Sequence, residues 1–294
     1  MELEIKKGKA IARFNTLGGE LISYSNNDIE YIWNGNKELW ASHSPVLFPT
    51  VGSLINKETE INGVKYQFRK HGFARKSEFK LVKQTADSVI FSLSADDETR
   101  KSYPFEFELV VTHTISDTGF ITEYKVINQD NKEILYGIGG HTGFNCPMFP
   151  NTQFNDYYIL YNKVESGPFY YTNPSDAEGI IHKEDRINNL EGKRELKLNY
   201  NLFDRDVIII EQLKSSAIKL LNTKNKKGIE FIMKGFNSIG FWTPPKKNAP
   251  FICLEPWTVI PDFSDNSGVF NEKPNITKLA IGESSSVSYA MRII

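Results

Sequence analysis

The stretch FEFELVVTHTI, residues 105–115, alternates side chains with the period of two that is typical of a half-buried β-strand. One face is apolar apart from a histidine and carries Phe105, Phe107, Leu109, Val111, His113 and Ile115. The opposite face carries Glu106, Glu108, Thr112 and Thr114. The turn residues SDTG at 116–119 then lead into FITEYKVIN at 120–128, a second strand pattern. This stretch therefore predicts two successive strands, with His113 in the core.

Short strand patterns recur along the rest of the chain. In ETEINGVKYQF, residues 58–68, Asn62-Gly63 lies between two alternating runs and predicts a tight hairpin, because both turn positions need positive φ. SPVLFPTVGSL, residues 44–54, contains two prolines and predicts a loop or a single helical turn, and no convincing amphipathic helix exceeds three turns. Further strand candidates are RELKLNYNLF (194–203), SAIKLLN (216–222), IEFIMKGF (229–236) and VSYAMRII (287–294). Many short strands separated by turns favour an all-β sandwich or barrel.

Nothing in the chain marks a domain boundary. GPFYYTNPSDAEG, residues 167–179, has strand patterns on both sides and is rich in aromatic residues, so we interpret it as a surface loop that walls a cleft. No repeat of 20–50 residues is present, which disfavours a propeller. Large β-proteins fill this length as one unit. We therefore predict a single domain over residues 1–294.

Composition excludes several classes of function. Lys plus Arg (35) nearly equals Asp plus Glu (36), and the charges are dispersed, which argues against nucleic-acid or anionic-membrane partners. Two cysteines, Cys146 and Cys253, are too few for a disulfide framework and fit a reducing cytosol. The start MELEIKKGKA has no apolar signal region, and the longest apolar runs are too short to span a bilayer. These features predict a cytoplasmic protein.

Three segments concentrate polar groups among Gly, Phe and Pro. They are RKHGFARKSEF (69–79), GGHTGFNCP (139–147) and APFICLEPWTVIPD (249–262). In the second segment, His141 follows the apolar run EILYGI and lies between glycines, so it is either an exposed acid or base or a turn residue. In the first, His71 and Arg75 flank a loop opened by Gly72, and Arg75 either forms a surface ion pair or binds a hydroxyl, carboxylate or phosphate.

Glu255 follows the apolar run FICL, which predicts a buried strand that Pro256 ends. A carboxylate at the end of a buried strand is costly unless it is paired or used. Glu255 is therefore either the structural partner of a cation or turn amide, or a general base in a cleft. In an extended segment, the side chain of Trp257 would point to the same side as that of Glu255. Trp257 either lines a sugar site or belongs to the core. The twenty Phe, thirteen Tyr and four Trp allow the same two interpretations, strand packing or sugar stacking.

Other chemistries lack their motifs. The chain contains no GxSxG, P-loop, HExxH or GxGxxG segment. The histidines are scattered without metal-ligand spacing, so we expect no protein metal site.

Together these segments resemble the aldose 1-epimerase (galactose mutarotase-like) family, most closely its LacX-like branch. The resemblance covers nearly the whole chain, through LGGELISY (17–24), YIWNG (31–35), LFPTVGSL (47–54), HGFAR (71–75), GGHTGFNCP and FICLEPW (251–257). It implies a large all-β supersandwich with few short helices and a sugar site on its concave face. It also implies interconversion of the α and β anomers of a free aldohexose, with no cofactor.

The resemblance also implies roles for individual residues. Glu255 matches the family's general base and His141 its general acid, while His71 and Arg75 match residues that hold the sugar. Asp206, in FDRDVIII, loosely matches a sugar-binding carboxylate, and a turn Asp before a strand is as good an interpretation. The glycines beside His141 would let the sugar approach closely, and Phe144 would pack behind the turn.

Two residues depart from the family pattern. Thr142 stands where many relatives have proline, which suggests a looser turn, and Ser53 stands where relatives often have arginine. A missing arginine weakens an alternative, hexose-6-phosphate mutarotase, although Arg75 remains. A second alternative is a carbohydrate-binding or regulatory protein of the same fold without turnover.

Overall fold

The computed structural model describes residues 1–172 and 179–294, and these consist mostly of β-strands. Residues 173–178, which belong to the loop predicted at 167–179, lie outside the described residues. Within the two described ranges there is a single short α-helix, α1 (Asp97–Arg100), together with seven 3₁₀ turns. The turns are Ile55–Lys57, Ala74–Lys76, Phe154–Asp156, Lys183–Asp185, Asn188–Leu190, Tyr200–Phe203 and Phe270–Glu272.

The strands are numbered in chain order. The first twelve are β1 (Glu2–Lys7), β2 (Ala10–Asn15), β3 (Glu20–Asn26), β4 (Ile29–Glu30), β5 (Val46–Leu47), β6 (Glu58–Ile61), β7 (Val64–Gln67), β8 (Lys80–Gln84), β9 (Ser88–Ser94), β10 (Phe107–Ser116), β11 (Gly119–Asn128) and β12 (Ile134–Tyr136). The next twelve are β13 (Gly139–Gly140), β14 (Thr142–Asn145), β15 (Tyr157–Glu165), β16 (Phe169–Tyr171), β17 (Lys193–Lys197), β18 (Ile208–Ile210), β19 (Ala217–Asn222), β20 (Gly228–Lys234), β21 (Ser238–Trp242), β22 (Phe251–Trp257), β23 (Thr277–Leu279) and β24 (Ser284–Ile293).

Two large antiparallel sheets form a sandwich, which confirms the predicted all-β fold. One has nine strands in the order β17-β15-β19-β20-β24-β11-β10-β9-β8. The other has the path β16-β18-β21-β22-β13-β5, with β14 also paired to β22. Phe144 and Phe231 bring the two sheets into contact, with ring centroids 5.8 Å apart, inside one continuous apolar core. Smaller sheets are β1-β2-β3-β4, β6-β7 and β12-β23.

The opening stretch forms β10, and its alternation is confirmed: Phe107, Leu109, Val111, His113 and Ile115 are all buried. A turn at Ser116–Gly119 joins β10 to its antiparallel partner β11. Burial of each large apolar side chain contributes roughly 1.5–3 kcal/mol, which is why a strict period of two sets the face that turns inward.

The hairpin predicted at Asn62-Gly63 is also confirmed. Both residues have positive φ, 53° and 78°, and they connect β6 to β7. SPVLFPTVGSL is mostly loop, one of the two predicted alternatives, and it also contains the two-residue strand β5. Among the described residues, no helix has the length and apolar character needed to cross a membrane.

The expectation that Pro256 ends its strand is wrong. β22 continues to Trp257, and Pro256 lies opposite Ile239 of β21. On its other side β22 changes partner, because β14 pairs with the segment up to Leu254 and β13 pairs at Trp257. A residue without a backbone N–H is tolerated where the ladder is interrupted.

Candidate active site

Strand β22 sorts its side chains between the main core and a cleft. Ile252 and Leu254 point into the core between the two large sheets. Cys253 and Glu255 alternate with them and therefore lie on the opposite, outer face of the sheet. Two small apolar clusters on that face border the cleft, one around Trp257 and Ile209 and the other around Trp33 and Phe251.

His141 faces Glu255 across the sheet. Thr142 pairs with Leu254 and Gly139 pairs with Trp257, both in the same register, so His141 stands directly opposite Glu255. His141 Nε2 lies 3.2 Å from Glu255 Oε2. Two residues 114 positions apart are thus brought into contact by the register of β13, β14 and β22.

Burial dominates the protonation of this pair. His141 is 7% exposed and Glu255 is 1% exposed. Burial, with added repulsion from Arg75 and Lys70, lowers the pKa of His141 to about 3. Burial, and next the nearby charge of Asp206, raises the pKa of Glu255 well above its usual range, while Lys70 and Arg75 act in the opposite direction. The free site therefore favours the neutral pair, with one proton held on Glu255.

His71 lies next to this pair as a neutral ring. Its centroid is 5.6 Å from that of His141, and the two rings are close to perpendicular. Burial is the main cause that holds the pKa of His71 well below 6.5. The Gly52 N–H donates to His71 Nδ1 at 3.0 Å, so the ring proton is on Nε2. His71 has φ of 67°, and Gly72 packs so tightly on the Phe48 carbonyl that a Cβ would lie 2.1 Å from its oxygen.

Arg75 and Asp206 complete the polar lining. Arg75 lies in the 3₁₀ turn Ala74–Lys76, and its guanidinium donates to the Lys70 carbonyl at 3.0 Å. Both carboxylate oxygens of Asp206 accept hydrogen bonds, one from Trp242 Nε1 at 2.6 Å and one from Thr172 Oγ1 at 3.1 Å. Asp206 therefore fixes the indole that forms one wall of the cleft.

All six residues singled out from the sequence line one cleft of about 210 Å³: His71, Arg75, His141, Asp206, Glu255 and Trp257. His113 is instead buried elsewhere, bonded to Thr122 Oγ1 and the Gly19 carbonyl, so the prediction of a core histidine is confirmed. Asp262 also lies away from the cleft lining, in a buried ion pair with Lys273.

Six further side chains line the cleft: Trp40, Lys70, Thr172, Val207, Trp242 and Pro261. Thr172 belongs to the loop at 167–179 that was predicted to wall a cleft, and the other five were missed. Trp40 stacks on His141 with ring centroids 4.8 Å apart, and Trp242 meets the same ring edge-on at 5.7 Å. Lys70 immediately precedes the HGFAR segment, which was a usable signal. The two tryptophans come from segments that contain no other site residue, so no local pattern marks them as part of the cleft.

Two buried nitrogen atoms in the cleft find no hydrogen-bond partner among the described residues. They are His141 Nδ1 and Trp257 Nε1. Unpaired polar atoms at such depth are costly. The polar side chains of the lining, Lys70 and Arg75 among them, make the cleft chemically suited to a ligand that carries several hydroxyl groups.

The similarity of this chain to known proteins is consistent with the fold and the cleft described above. The family model for aldose 1-epimerase matches residues 1–284. The chain belongs to the aldose 1-epimerase family. It is 33% identical to the plasmid-encoded protein LacX of Lactococcus lactis subsp. lactis in an alignment of 301 positions that covers 100% of both chains.

Solved structures show the same galactose mutarotase-like fold. A galactose mutarotase related enzyme from Lactobacillus acidophilus superposes with a TM-score of 0.93 at 28% identity, covering 100% of this chain and 97% of that one. A galactose mutarotase-like protein from Lactobacillus casei gives a TM-score of 0.88 at 26% identity, with both chains fully covered.

One of the two departures from the family pattern, Thr142, has a clear structural counterpart. Thr142 is not in a loose turn, because it is paired with Leu254 and its hydroxyl donates to Tyr289 Oη at 3.0 Å. The glycines beside His141 make room for protein rather than for a ligand: a Cβ on Gly139 would lie 2.5 Å from the Trp257 ring. A Cβ on Gly140 would lie 2.8 Å from the Tyr289 ring.

Proposed function

We propose that this protein is an aldose 1-epimerase that interconverts the α and β anomers of a free aldohexose. The observation that supports the proposal is the contact between His141 and Glu255 at 3.2 Å in a cleft walled by tryptophans. Mutarotation requires one group that accepts a proton and another that donates one, both near C1 of the same sugar. An imidazole and a carboxyl group that share one proton supply this combination.

Glu255 and His141 take the roles of base and acid. Glu255 removes the proton from the O1 hydroxyl while His141 delivers one to the ring oxygen O5. The C1–O5 bond breaks, and the electron pair of the O1–H bond forms the aldehyde carbonyl. After rotation about C1–C2, the O5 hydroxyl attacks the other face of C1 and returns its proton to His141, while Glu255 returns its proton to O1.

The reactive form needs an ionised Glu255 and a protonated His141, and the free site favours the neutral pair. Both forms hold the same single proton, so one transfer between Oε2 and Nε2 converts one into the other. Lys70 and Arg75 favour the carboxylate, and sugar hydroxyls that donate to Glu255 act in the same direction. Binding of the sugar therefore favours the ionised form of Glu255, which acts as the base.

The remaining cleft residues position the sugar. Neutral His71 offers its Nε2–H, and Arg75 offers guanidinium N–H groups. The rings of Trp40 and Trp242 cover the apolar ring faces of a pyranose. These contacts bring the anomeric centre to His141 and Glu255 and reduce the entropic cost of reaction.

Glu255→Gln tests the proposal directly, because it keeps size and most hydrogen bonding but removes the base. We expect the catalysed rate of anomer exchange to fall by roughly 10²-fold or more, with sugar affinity nearly unchanged. Polarimetry of freshly dissolved α-D-glucose and α-D-galactose measures exchange, and calorimetric titration measures affinity. Rapid exchange by a folded Glu255→Gln protein would contradict the assignment.

The experiment also separates the alternatives. A carbohydrate-binding protein without turnover would show sugar affinity and no exchange in the wild type. A hexose-6-phosphate mutarotase has one observation in its favour, which is that a second cation, Lys70, lines the cleft beside Arg75. For a phosphosugar enzyme, Lys70→Gln would reduce activity on the 6-phosphates about tenfold or more beyond any loss on the free sugars, since the lost contact is a charge-assisted one.

A further inference from the structure

Cys253 belongs to the same face of β22 as Glu255. The two residues are separated by one, so the thiol and the carboxylate project on the same side of the strand. His141 approaches both from the neighbouring strands. A ring nitrogen of His141, Sγ of Cys253 and a carboxylate oxygen of Glu255 all lie within 4.8 Å of one another, and all three residues are buried.

This set of donors is the one that zinc and related divalent ions prefer. Thiolate, imidazole and carboxylate bind Zn²⁺ with bond lengths of roughly 2.0–2.3 Å, so tetrahedral ligand atoms are about 3.5 Å apart. His141 Nε2 and Glu255 Oε2 are already 3.2 Å apart. The other separations, up to 4.8 Å, require about an ångström of closure.

We propose that His141, Cys253 and Glu255 form a reversible site for Zn²⁺ or a similar thiophilic divalent ion, and that the bound ion blocks the sugar site. On binding, the S–H bond of Cys253 and the O–H bond of protonated Glu255 break, the freed electron pairs form bonds to the metal, and both protons leave to solvent. The fourth position faces the cleft and takes water. The inhibitory part rests on the proposed function, since the ion occupies the groups that would move protons. The binding part does not.

Charge balance favours an ion of this type despite the cations nearby. Lys70 and Arg75 line the same cleft and repel a free divalent ion. A thiolate and a carboxylate together neutralise Zn²⁺, so the occupied site adds no net charge. A hard ion such as Mg²⁺ gains little from sulfur and meets the same repulsion, which makes the site selective for thiophilic ions.

The spacing of residues along the sequence predicts no metal site, because His141 and Cys253 are far apart in the chain. The antiparallel register of β14 with β22 brings them together. Cys146 is the natural control, since it is also a buried free thiol but belongs to the main core rather than to this cluster.

Binding is tested with Cd²⁺ on the full-length protein, because a cadmium–thiolate bond gives a charge-transfer band in the ultraviolet. We expect the band in the wild type and in Cys146→Ser, and its loss in Cys253→Ser. In a competition titration, Cys253→Ser should bind Zn²⁺ on the order of 10²-fold more weakly, since even the loss of an outer-shell contact costs about 10–100-fold. A wild type without the band would overturn the proposal, and so would a band that persists in folded Cys253→Ser or Cys253→Ala.

Inhibition is tested separately by polarimetry. Zn²⁺ should abolish anomer exchange in the wild type and in Cys146→Ser, and a chelator should restore it. For Cys253→Ser, measured against its own metal-free rate, the inhibitory concentration should rise about tenfold or more. Equal inhibition of Cys253→Ser would overturn the blocking role. If the metal-free wild type shows no exchange, the proposed function fails while the cadmium band still decides the metal site.

Discussion

His113 shows how a single residue on a predicted apolar face acquires a pH-dependent role. Its ring is fully buried, with Nε2 donating to the Gly19 carbonyl and Nδ1 accepting from Thr122 Oγ1, each at 2.9 Å. Burial lowers the pKa of His113 from 6.5 to about 4, although Gly19 and Glu20 act in the opposite direction. The folded protein therefore holds a neutral ring at pH values where the unfolded chain is already protonated.

This difference predicts a loss of stability on acidification. Because the unfolded chain binds the extra proton, the free energy of unfolding is highest above pH 6.5 and falls as the pH drops toward about 4. The total contribution is roughly 3 kcal/mol. His113→Gln keeps one donor and one acceptor but does not titrate. Urea unfolding of both proteins across this range should show a difference that changes with pH, and a constant difference would contradict the prediction.

The buried ion pair of Asp262 and Lys273 is a second residue-scale feature, and it supports the cleft from outside. Asp262 also accepts from the Ile55 N–H at 3.1 Å, and its backbone N–H donates to the Ser53 carbonyl at 3.0 Å. The neighbouring residue, Pro261, packs on Gly52, and both line the cleft. The ion pair therefore holds in place the segment around Pro261 that lines the cleft.

Removing one partner leaves a buried charge without compensation. Asp262→Leu should lower the free energy of unfolding by about 3–5 kcal/mol. The double variant Asp262→Leu, Lys273→Met removes both charges and should recover a substantial part of that loss. Urea unfolding of the wild type, both single variants and the double variant measures the coupling. Additive effects would show that the pair is not the source of the stability.

At the scale of secondary-structure elements, the indole of Trp257 on β22 packs against the neighbouring strands β13 and β21. Trp257 lies between two glycines, since a Cβ on Gly139 would be 2.5 Å from its Cδ1 and a Cβ on Gly240 would be 2.5 Å from its Cη2. Gly240 stands opposite Glu255 in the register of β21 with β22. The strands thus use glycine where the large side chain must lie flat beside the acid–base pair.

Gly240→Ala tests this packing. Gly240 does not have positive φ, so alanine meets a steric conflict with Trp257 rather than backbone strain. We expect a loss of roughly 1–3 kcal/mol of stability from overpacking, together with weaker sugar binding. The smaller ring in Trp257→Phe should relieve the conflict, so the double variant should be more stable than the sum of the single effects. Strictly additive effects in thermal unfolding would exclude the steric account.

How much of these strands and turns could be predicted from the sequence depends on how far apart along the chain the interacting residues lie. The alternation in β10 and the Asn62-Gly63 turn are local properties, and the structure confirms both. The roles of Gly139 and Pro256 were misjudged because they depend on which strand lies alongside, and a single strand pattern does not contain that information. The register that brings His141 to Glu255 could be expected only from the family resemblance.

At the scale of the whole molecule, the last strand joins two halves of the nine-stranded sheet. β24 lies between β20 and β11. One half, β8 to β11, comes from residues 80–128, and the other, made of β15, β17, β19 and β20, comes from residues 157–234. Neither half has its complete set of neighbours until residues 284–293 are in place. We therefore propose that the chain folds as one cooperative unit.

Tyr289 lies at the centre of this junction and gives the decisive variant. It is buried on β24 and contacts Phe231 of one half at 5.2 Å and Tyr124 of the other at 6.0 Å between ring centroids. Tyr289→Ala should cost about 3–5 kcal/mol, as large aromatic truncations do, and lower the melting temperature by roughly 6–20 °C. Exposed Ile121, on the neighbouring strand β11, is the matched control, and Ile121→Ala should change little. Calorimetry should show a single transition that shifts as a whole, with equal calorimetric and van't Hoff enthalpies. In Tyr289→Ala, the unfolding transition could instead shift only in part or split into two transitions. Either result would show that the two halves of the sheet are independent folding units and that neither requires β24.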